Sequence, residues 1–321
     1  MQHLSKIRIY PAEFLLSCTR YVALCTFVLL LFKAANIPET ANLDIANYRA
    51  DYEGSYNRYE VGYEFIVQMM NQKLDVTFER FWMLIIGAQI VIFLYAYNLH
   101  GALGGLLGFP VLLSLAGSTI GMQVRYGLSC ALFLLGIVCL VRSRRILATT
   151  LVAAACLLHN ATILITLLCW LILILAYAHN KWKIGWPVLF TLYGTVLYFI
   201  TSNIEALLST GRYVSYFGTV YFATKSTTSI VYTIIMLAGI SFLLTRKQAR
   251  LNVEIMMHIG LLIAVLCLSG YAVISGRLLV MTFFLEPVTI ISLLDTRKPV
   301  HRLVIMLPLI LLSWSKVVLM T

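Results

Sequence analysis

The stretch Ile146–Ala178, ILATTLVAAACLLHNATILITLLCWLILILAYA, decides the fold. As one helix this apolar run would measure roughly 50 Å at 1.5 Å per residue, while a bilayer core is about 30 Å thick. It is too long for one crossing and slightly short for two. Its only interruption is Leu158-His159-Asn160-Ala161, and the charge of the loops around it arbitrates. If the run is a hairpin, the basic groups Lys6/Arg8, Arg142-Ser-Arg-Arg145, Lys181/Lys183, Arg246-Lys247/Arg250 and Arg297-Lys298/Arg302 share one side of the membrane. If it is a single span, the last three groups land opposite the first two. The excess of cations on cytoplasmic loops favours the hairpin, with His159 at its outer tip.

Working outward, further apolar windows fall near 14–35, 78–97, 103–119, 126–141, 184–201, 230–244, 253–270, 278–294 and 303–320. They predict an all-α polytopic membrane protein of about eleven transmembrane helices, with a cytoplasmic N-terminus and an exported C-terminus. The composition agrees: 61% of the 321 residues are hydrophobic, 12% are charged and the mean hydropathy is +0.90, values of a chain whose solvent is lipid. The first apolar segment lacks a small-residue cleavage pattern and reads as a permanent span. The whole chain, 1–321, reads as one integral membrane domain with two extracytoplasmic loops, 36–77 and 202–229.

Seven cysteines lie in apolar segments without metal-ligand spacing and read as small core hydrophobes. No metal or other cofactor is expected. The net charge of +11 is divided among short loops, with no basic stretch interleaved with aromatics, so it encodes orientation rather than nucleic-acid binding. The glycines of GALGGLLG, Gly101–Gly108, have neither the lysine nor the strand–helix context of a phosphate loop and read as a helix-packing surface.

This topology puts Arg125, Arg212 and Arg277 on the outer side, against the orientation rule. One such arginine is as readily a snorkelling side chain, and Arg20, inside the first span, is read that way or as a packing residue. Three together suit a phosphate or pyrophosphate headgroup, because the guanidinium is a permanently charged fork of donors.

The first outer loop holds most of the acidic residues, from Glu39 to Glu79. Tyr48, Tyr52, Tyr56, Tyr59 and Tyr63 recur at helical steps, which predicts phenol rings along one face: an interfacial belt, or a platform for sugars. Gly54 and Gly62 argue against one straight helix. Asp44 and Asp51 would share the tyrosine face and Glu60 follows. A carboxylate there can act as general base toward a sugar hydroxyl, although a solvated acidic loop needs no chemistry. His159 either caps a helix end or, beside the outer arginines, serves as acid–base or phosphate contact.

The order Asp44-Ile-Ala-Asn-Tyr48, Glu60-Val-Gly-Tyr63, Arg125-Tyr-Gly-Leu-Ser, a basic turn, Leu158-His159-Asn160 and late outer arginines resembles the EpsG-like branch of the Wzy O-antigen and exopolysaccharide polymerases. Members carry an acidic-Tyr loop, a Glu-Pro-Gly-aromatic patch, an Arg-Gln-Gly/small-Ala segment and a histidine at such a break. The resemblance covers about 40–300, with two departures: Val61 stands where the family usually has proline, and Tyr126 where glutamine is common.

The resemblance implies a GT-C-like, metal-independent membrane glycosyltransferase. Such an enzyme joins polyprenyl-diphosphate-linked oligosaccharide repeat units at the outer face of the bacterial inner membrane, among membrane lipids, with a chain-length regulator as a further partner. Transfer from a polyprenyl-diphosphate donor needs a cation for the departing pyrophosphate, assigned to Arg125, Arg212 and Arg277, and a base, assigned to Asp44, Glu60 or His159. Tyr48, Tyr52 and Tyr63 would contact sugars. Two other readings stay open: a flippase for the lipid-linked oligosaccharide, disfavoured by the lack of an internal repeat, and a ligase or transferase using another acceptor.

Overall fold

Cys156 Sγ and Thr166 Oγ1 lie 3.3 Å apart, although ten residues along one straight helix would separate them by about 15 Å. The computed structural model of the chain, which describes residues 11–38, 40, 43–54, 56–203, 227–245 and 252–294, thus folds the long apolar run back on itself. The turn is a single residue: His159 is extended, at φ −157° and ψ 125°, between two helices.

Among the described residues the helices are α1 (Pro11–Ala35), α2 (Leu43–Gly54), α3 (Val61–Gln68), α4 (Phe78–Asn98), α5 (Ala102–Leu115), α6 (Val124–Val141), α7 (Arg145–Leu158), α8 (Asn160–Trp182), α9 (Trp186–Ser202), α10 (Thr227–Thr245), α11 (Val253–Cys267) and α12 (Ala272–Leu294). α3 and α5 each run on into a π-helical turn, Met69–Lys73 and Ala116–Ile120. No strand occurs among these residues.

Phe78–Asn98, Leu103–Ile120, Val124–Val141, Asn160–His179 and Ala272–Leu293 are long and apolar enough to cross a membrane, and Leu24–Ala35, Arg145–Leu158, Trp186–Ser202, Ile230–Phe242 and Val253–Cys267 are shorter apolar helices. The expected last segment, 303–320, lies outside the described residues, as does most of the 202–229 loop with Arg212.

Large apolar side chains face outward along these helices, among them Phe32, Leu84, Val91, Trp170, Ile174 and Phe199. In water such a surface would aggregate; in lipid it is matched to its solvent. The chain is a multi-pass membrane protein. Inside, α6 packs on α7 and α4, and α12 on α11 and α5. Phe93 of α4 stacks on Phe284 of α12 with ring centroids 4.2 Å apart, and the Tyr97 hydroxyl donates to the Phe284 carbonyl at 2.9 Å.

Each end of the bundle is tied by polar contacts. At one, the Arg142 guanidinium donates to the Leu99 carbonyl, and His100 Nε2 lies 3.5 Å from Glu254, which also accepts from Ser292. Glu254 and Glu286 are both buried, and Glu286, inside α12, accepts from the Tyr232 hydroxyl of α10. At the other end α7, only 14 residues long and so about 20 Å, stops short. The segment between α1 and α4 folds into the space it leaves.

Candidate functional site

That segment is not a solvated loop. α2 ends at Gly54, Asn57 takes φ 51°, a left-handed conformation that asparagine tolerates better than most residues, and the chain reverses into α3. Gly62 then presses on the end of α7: a Cβ there would stand 2.8 Å from the Leu157 carbonyl oxygen. A glycine is needed for backbone to approach backbone this closely. Gly127 of α6 serves in the same way, because a Cβ would collide with the Gln89 side chain of α4.

These approaches deliver α3 and the start of α6 to one place. Arg125, in the first turn of α6, makes an ion pair with Glu60. Its Nε–H donates to the Tyr48 hydroxyl oxygen at 3.1 Å. Its guanidinium lies 4.0 Å from the ring centroid of Tyr59, 5.4 Å from that of Tyr48 and 5.8 Å from that of Tyr63. An arginine held over three ring faces gains cation–π attraction to set against its lost hydration. Burial pushes the Tyr48, Tyr59 and Tyr63 phenols above their ordinary range, so they are neutral donors rather than bases.

Glu60 also reaches the break in the long run. Its second oxygen accepts from the Asn160 amide at 3.4 Å, one of the unpaired N–H groups at the positive end of α8. His159 caps the same end: its Nδ1 accepts from the Ala161 amide at 3.1 Å, and its ring lies 5.0 Å from that of Tyr126. Burial, with added repulsion from the nearby Arg277 and Arg125 charges, pushes the imidazole down to about 2. With Nδ1 accepting, the proton of the neutral ring sits on Nε2, which makes the ring a donor there.

Arg277 joins through the backbone as well as through charge. Tyr126 donates its hydroxyl to the Arg277 carbonyl, linking α6 to the first half of α12. The guanidinium acts electrostatically on His159, and among the described residues it has no carboxylate partner. The Ser129 hydroxyl, which donates to the Ala155 carbonyl at 2.9 Å and contacts Thr162, closes the floor between α6, α7 and α8.

The structure thus brings Arg125, Arg277, His159, Glu60, Tyr48 and Tyr63 together. Asp44 is exposed in the first turn of α2, at the edge of the cluster, within electrostatic range of Tyr48 and Tyr59. Arg212 lies outside the described residues. Tyr52 is elsewhere: it is buried, stacked on Phe81 at 4.7 Å, and its hydroxyl donates to the Val76 carbonyl at 2.6 Å.

The expected row of phenols along one face is corrected accordingly. The helix breaks after Gly54, so Tyr48, Tyr59 and Tyr63 converge around Arg125, Tyr52 turns into the core and Tyr56 stays exposed. Tyr48, Tyr52 and Tyr63 are all under 6% exposed, so they form the wall of the site and not an open stacking platform. Asp51 and Glu64 are buried in this segment; spacing places Asp51 on the tyrosine face, and Glu64 is not singled out because only the reversal after Gly54 brings it to Asp51.

Both departures from the family pattern have a local reason. Val61 is the first residue of α3, where proline fits a helix because its missing N–H has no partner to lose; valine keeps the helix start without it. Tyr126 in place of glutamine supplies the hydroxyl that reaches Arg277. No curated protein and no solved structure matches the chain. A family model does, over residues 20–321, a range that holds every residue of this cluster: the chain belongs to the EpsG family.

Proposed function

We propose that the chain is a membrane glycosyltransferase that polymerises polyprenyl-diphosphate-linked oligosaccharide repeat units at the outer face of the bacterial inner membrane. Its bundle would be GT-C-like with about eleven spans. Membership of the EpsG family supports a membrane polysaccharide polymerase. The observation that carries the finer reading is the meeting of Arg125, Arg277 and the amide end of α8 at one recessed point.

In this reading Arg277, together with the Nε2–H of His159, receives the diphosphate of the donor at the positive end of α8. The acceptor hydroxyl oxygen bonds to the anomeric carbon. The bond from that carbon to the diphosphate oxygen breaks, and the diphosphate leaves with the electron pair. The guanidinium and imidazole donors match the negative charge that develops on it. The hydroxyl proton passes to Asp44, the exposed carboxylate at the edge of the site. A metal-independent mechanism is consistent with cations supplied by the chain itself.

An apolar cleft of about 320 Å³ lies below the cluster, between α6, α7, α8 and α11, lined by Phe133, Val152, Cys156, Thr166, Cys169 and Met257 among others. It begins one to two helical turns beneath His159, which supports seating part of an isoprenoid chain there while its diphosphate stays at the arginines.

The test uses the purified chain in vesicles with a polyprenyl-diphosphate-linked repeat unit. Products carrying several repeats on one lipid are expected. A single transfer to a different acceptor would make the protein a ligase, and movement of unaltered substrate between leaflets would make it a flippase.

A second expectation concerns His159. Because its imidazole stays neutral until about pH 2, it contributes no ionisation to the rate profile between pH 5 and 9. His159→Asn should lower the rate by weakening the donor and the cap while leaving the acid limb of that profile in place. An acid limb near pH 6.5 that disappears with the substitution would show instead that the ring titrates during turnover.

A further inference from the structure

Beneath the tyrosine wall two carboxyl groups from different helices meet. Asp51, in the last turn of α2, is fully buried, and Glu64, in the first turn of α3, is 7% exposed. Asp51 Oδ1 accepts from the Arg58 amide at 3.2 Å, and Glu64 Oε1 accepts from the Tyr59 amide at 2.7 Å. Two consecutive amides of the reversing chain are thus held by two carboxylates. The next residue is Glu60, the partner of Arg125, and the Tyr59 ring is the one the Arg125 guanidinium approaches most closely.

Accepting from two adjacent amides sets the Asp51 and Glu64 carboxyls side by side, and among the described residues no donor reaches the buried Asp51 Oδ2. Two ionised carboxylates this close and this buried repel strongly, whereas one proton between them converts the repulsion into a hydrogen bond. Burial, and then the charge and hydrogen bond of Asp51, raise the Glu64 carboxyl above the ordinary carboxylate range, outweighing the Tyr59 amide and the Arg125 charge that lower it.

Other charged groups near the pair are engaged or set aside. On α2, Arg49 is paired with Glu53 and with Glu79 of α4, and Asp44 sits at the far end of the helix. In the connection, Arg58 lies over the Tyr56 ring and Glu60 is paired with Arg125. At the α7–α8 junction His159 is neutral.

We propose that Asp51 and Glu64 hold one proton between them, and that this protonated pair positions Tyr59 and Glu60 against Arg125. They are positioning residues: neither reaches the cluster's outer face. Loss of the shared proton would set the two carboxylates against each other, release the Arg58 and Tyr59 amides and loosen the Glu60–Arg125 pair. The structural half of this proposal stands apart from the polymerase reading, and only its effect on rate rests on that reading.

The experiment is hydrogen exchange of the peptide spanning 56–62 in the full chain, held in lipid nanodiscs, from pH 5 to pH 9 and corrected for intrinsic exchange. In the parent chain, protection of the Arg58 and Tyr59 amides should fall by at least about tenfold as the pair loses its proton. In Glu64→Gln, the amide oxygen still accepts from Tyr59 and the amide N–H stands in for the shared proton, so protection should be high and independent of pH. Asp51→Asn gives the same result by the opposite substitution and serves if Glu64→Gln does not fold. Flat protection in the parent chain, or the same loss in the amide variants, overturns the proposal. In the vesicle assay the alkaline decline of rate should be absent from Glu64→Gln; if the chain polymerises nothing, the exchange result still decides the pair.

Discussion

Arg277→Ala should abolish long-chain polymer at unchanged protein level. The substitution removes the guanidinium that, among the described residues, has no carboxylate partner, while the bond from the Tyr126 hydroxyl goes to the Arg277 backbone carbonyl, which alanine keeps. Folding is therefore spared and the anion site is not. Removing one preorganised donor from a site of developing negative charge costs about 10²–10³ in turnover, enough to collapse a ladder of many repeats to single units. Arg277→Lys restores a charge but not the fork and should recover only part of the rate. The readout is the length distribution of polymer on the lipid carrier at matched protein abundance. A full ladder from Arg277→Ala would remove the diphosphate assignment.

Arg125→Ala should fail differently, through stability first. Arg125 and Glu60 are 15% and 10% exposed, so deleting the cation strands a nearly buried carboxylate, a loss of about 3–5 kcal/mol for such pairs. The Tyr59, Tyr48 and Tyr63 rings lose their cation at the same time. Little protein should accumulate in the membrane. Adding Glu60→Gln removes the stranded charge, so the double variant should regain abundance and thermal stability in detergent while making no polymer. Recovery of polymer along with abundance would mean that the pair only holds α3 in place. The contrast between the two arginines, one silent in folding and one not, follows from which of them carries an internal counter-ion.

Much of the architecture was legible beforehand. A run of 33 apolar residues cannot cross a membrane core once, and the positions of Arg142, Arg144, Lys181 and Lys183 choose the hairpin; the structure turns at His159 within one residue. Helix class followed from span length, and Arg125 and His159 stood out because charge and polarity are costly where hydrocarbon begins. The family was legible from short patterns around Asp44, Glu60 and Arg125.

The interior of the segment between α1 and α4 was not. Helical spacing placed five tyrosines on a common face, but Gly54 and the left-handed Asn57 split that face, sending Tyr52 into the core and Tyr59 to the arginine. The Asp51–Glu64 pair joins residues 13 apart through a reversal that no local propensity specifies.

By itself, then, the sequence determined the solvent, the all-helical class and the hairpin at His159, since these depend on hydrophobicity summed along the chain and on charges that cannot enter lipid. Only the tertiary structure decided which polar groups meet. A short α7 leaves a gap at one end of the bundle, glycines let α3 and α6 close into it, and contact between residues distant in the chain then settles which charges are paired and which rings wall the site around Arg125.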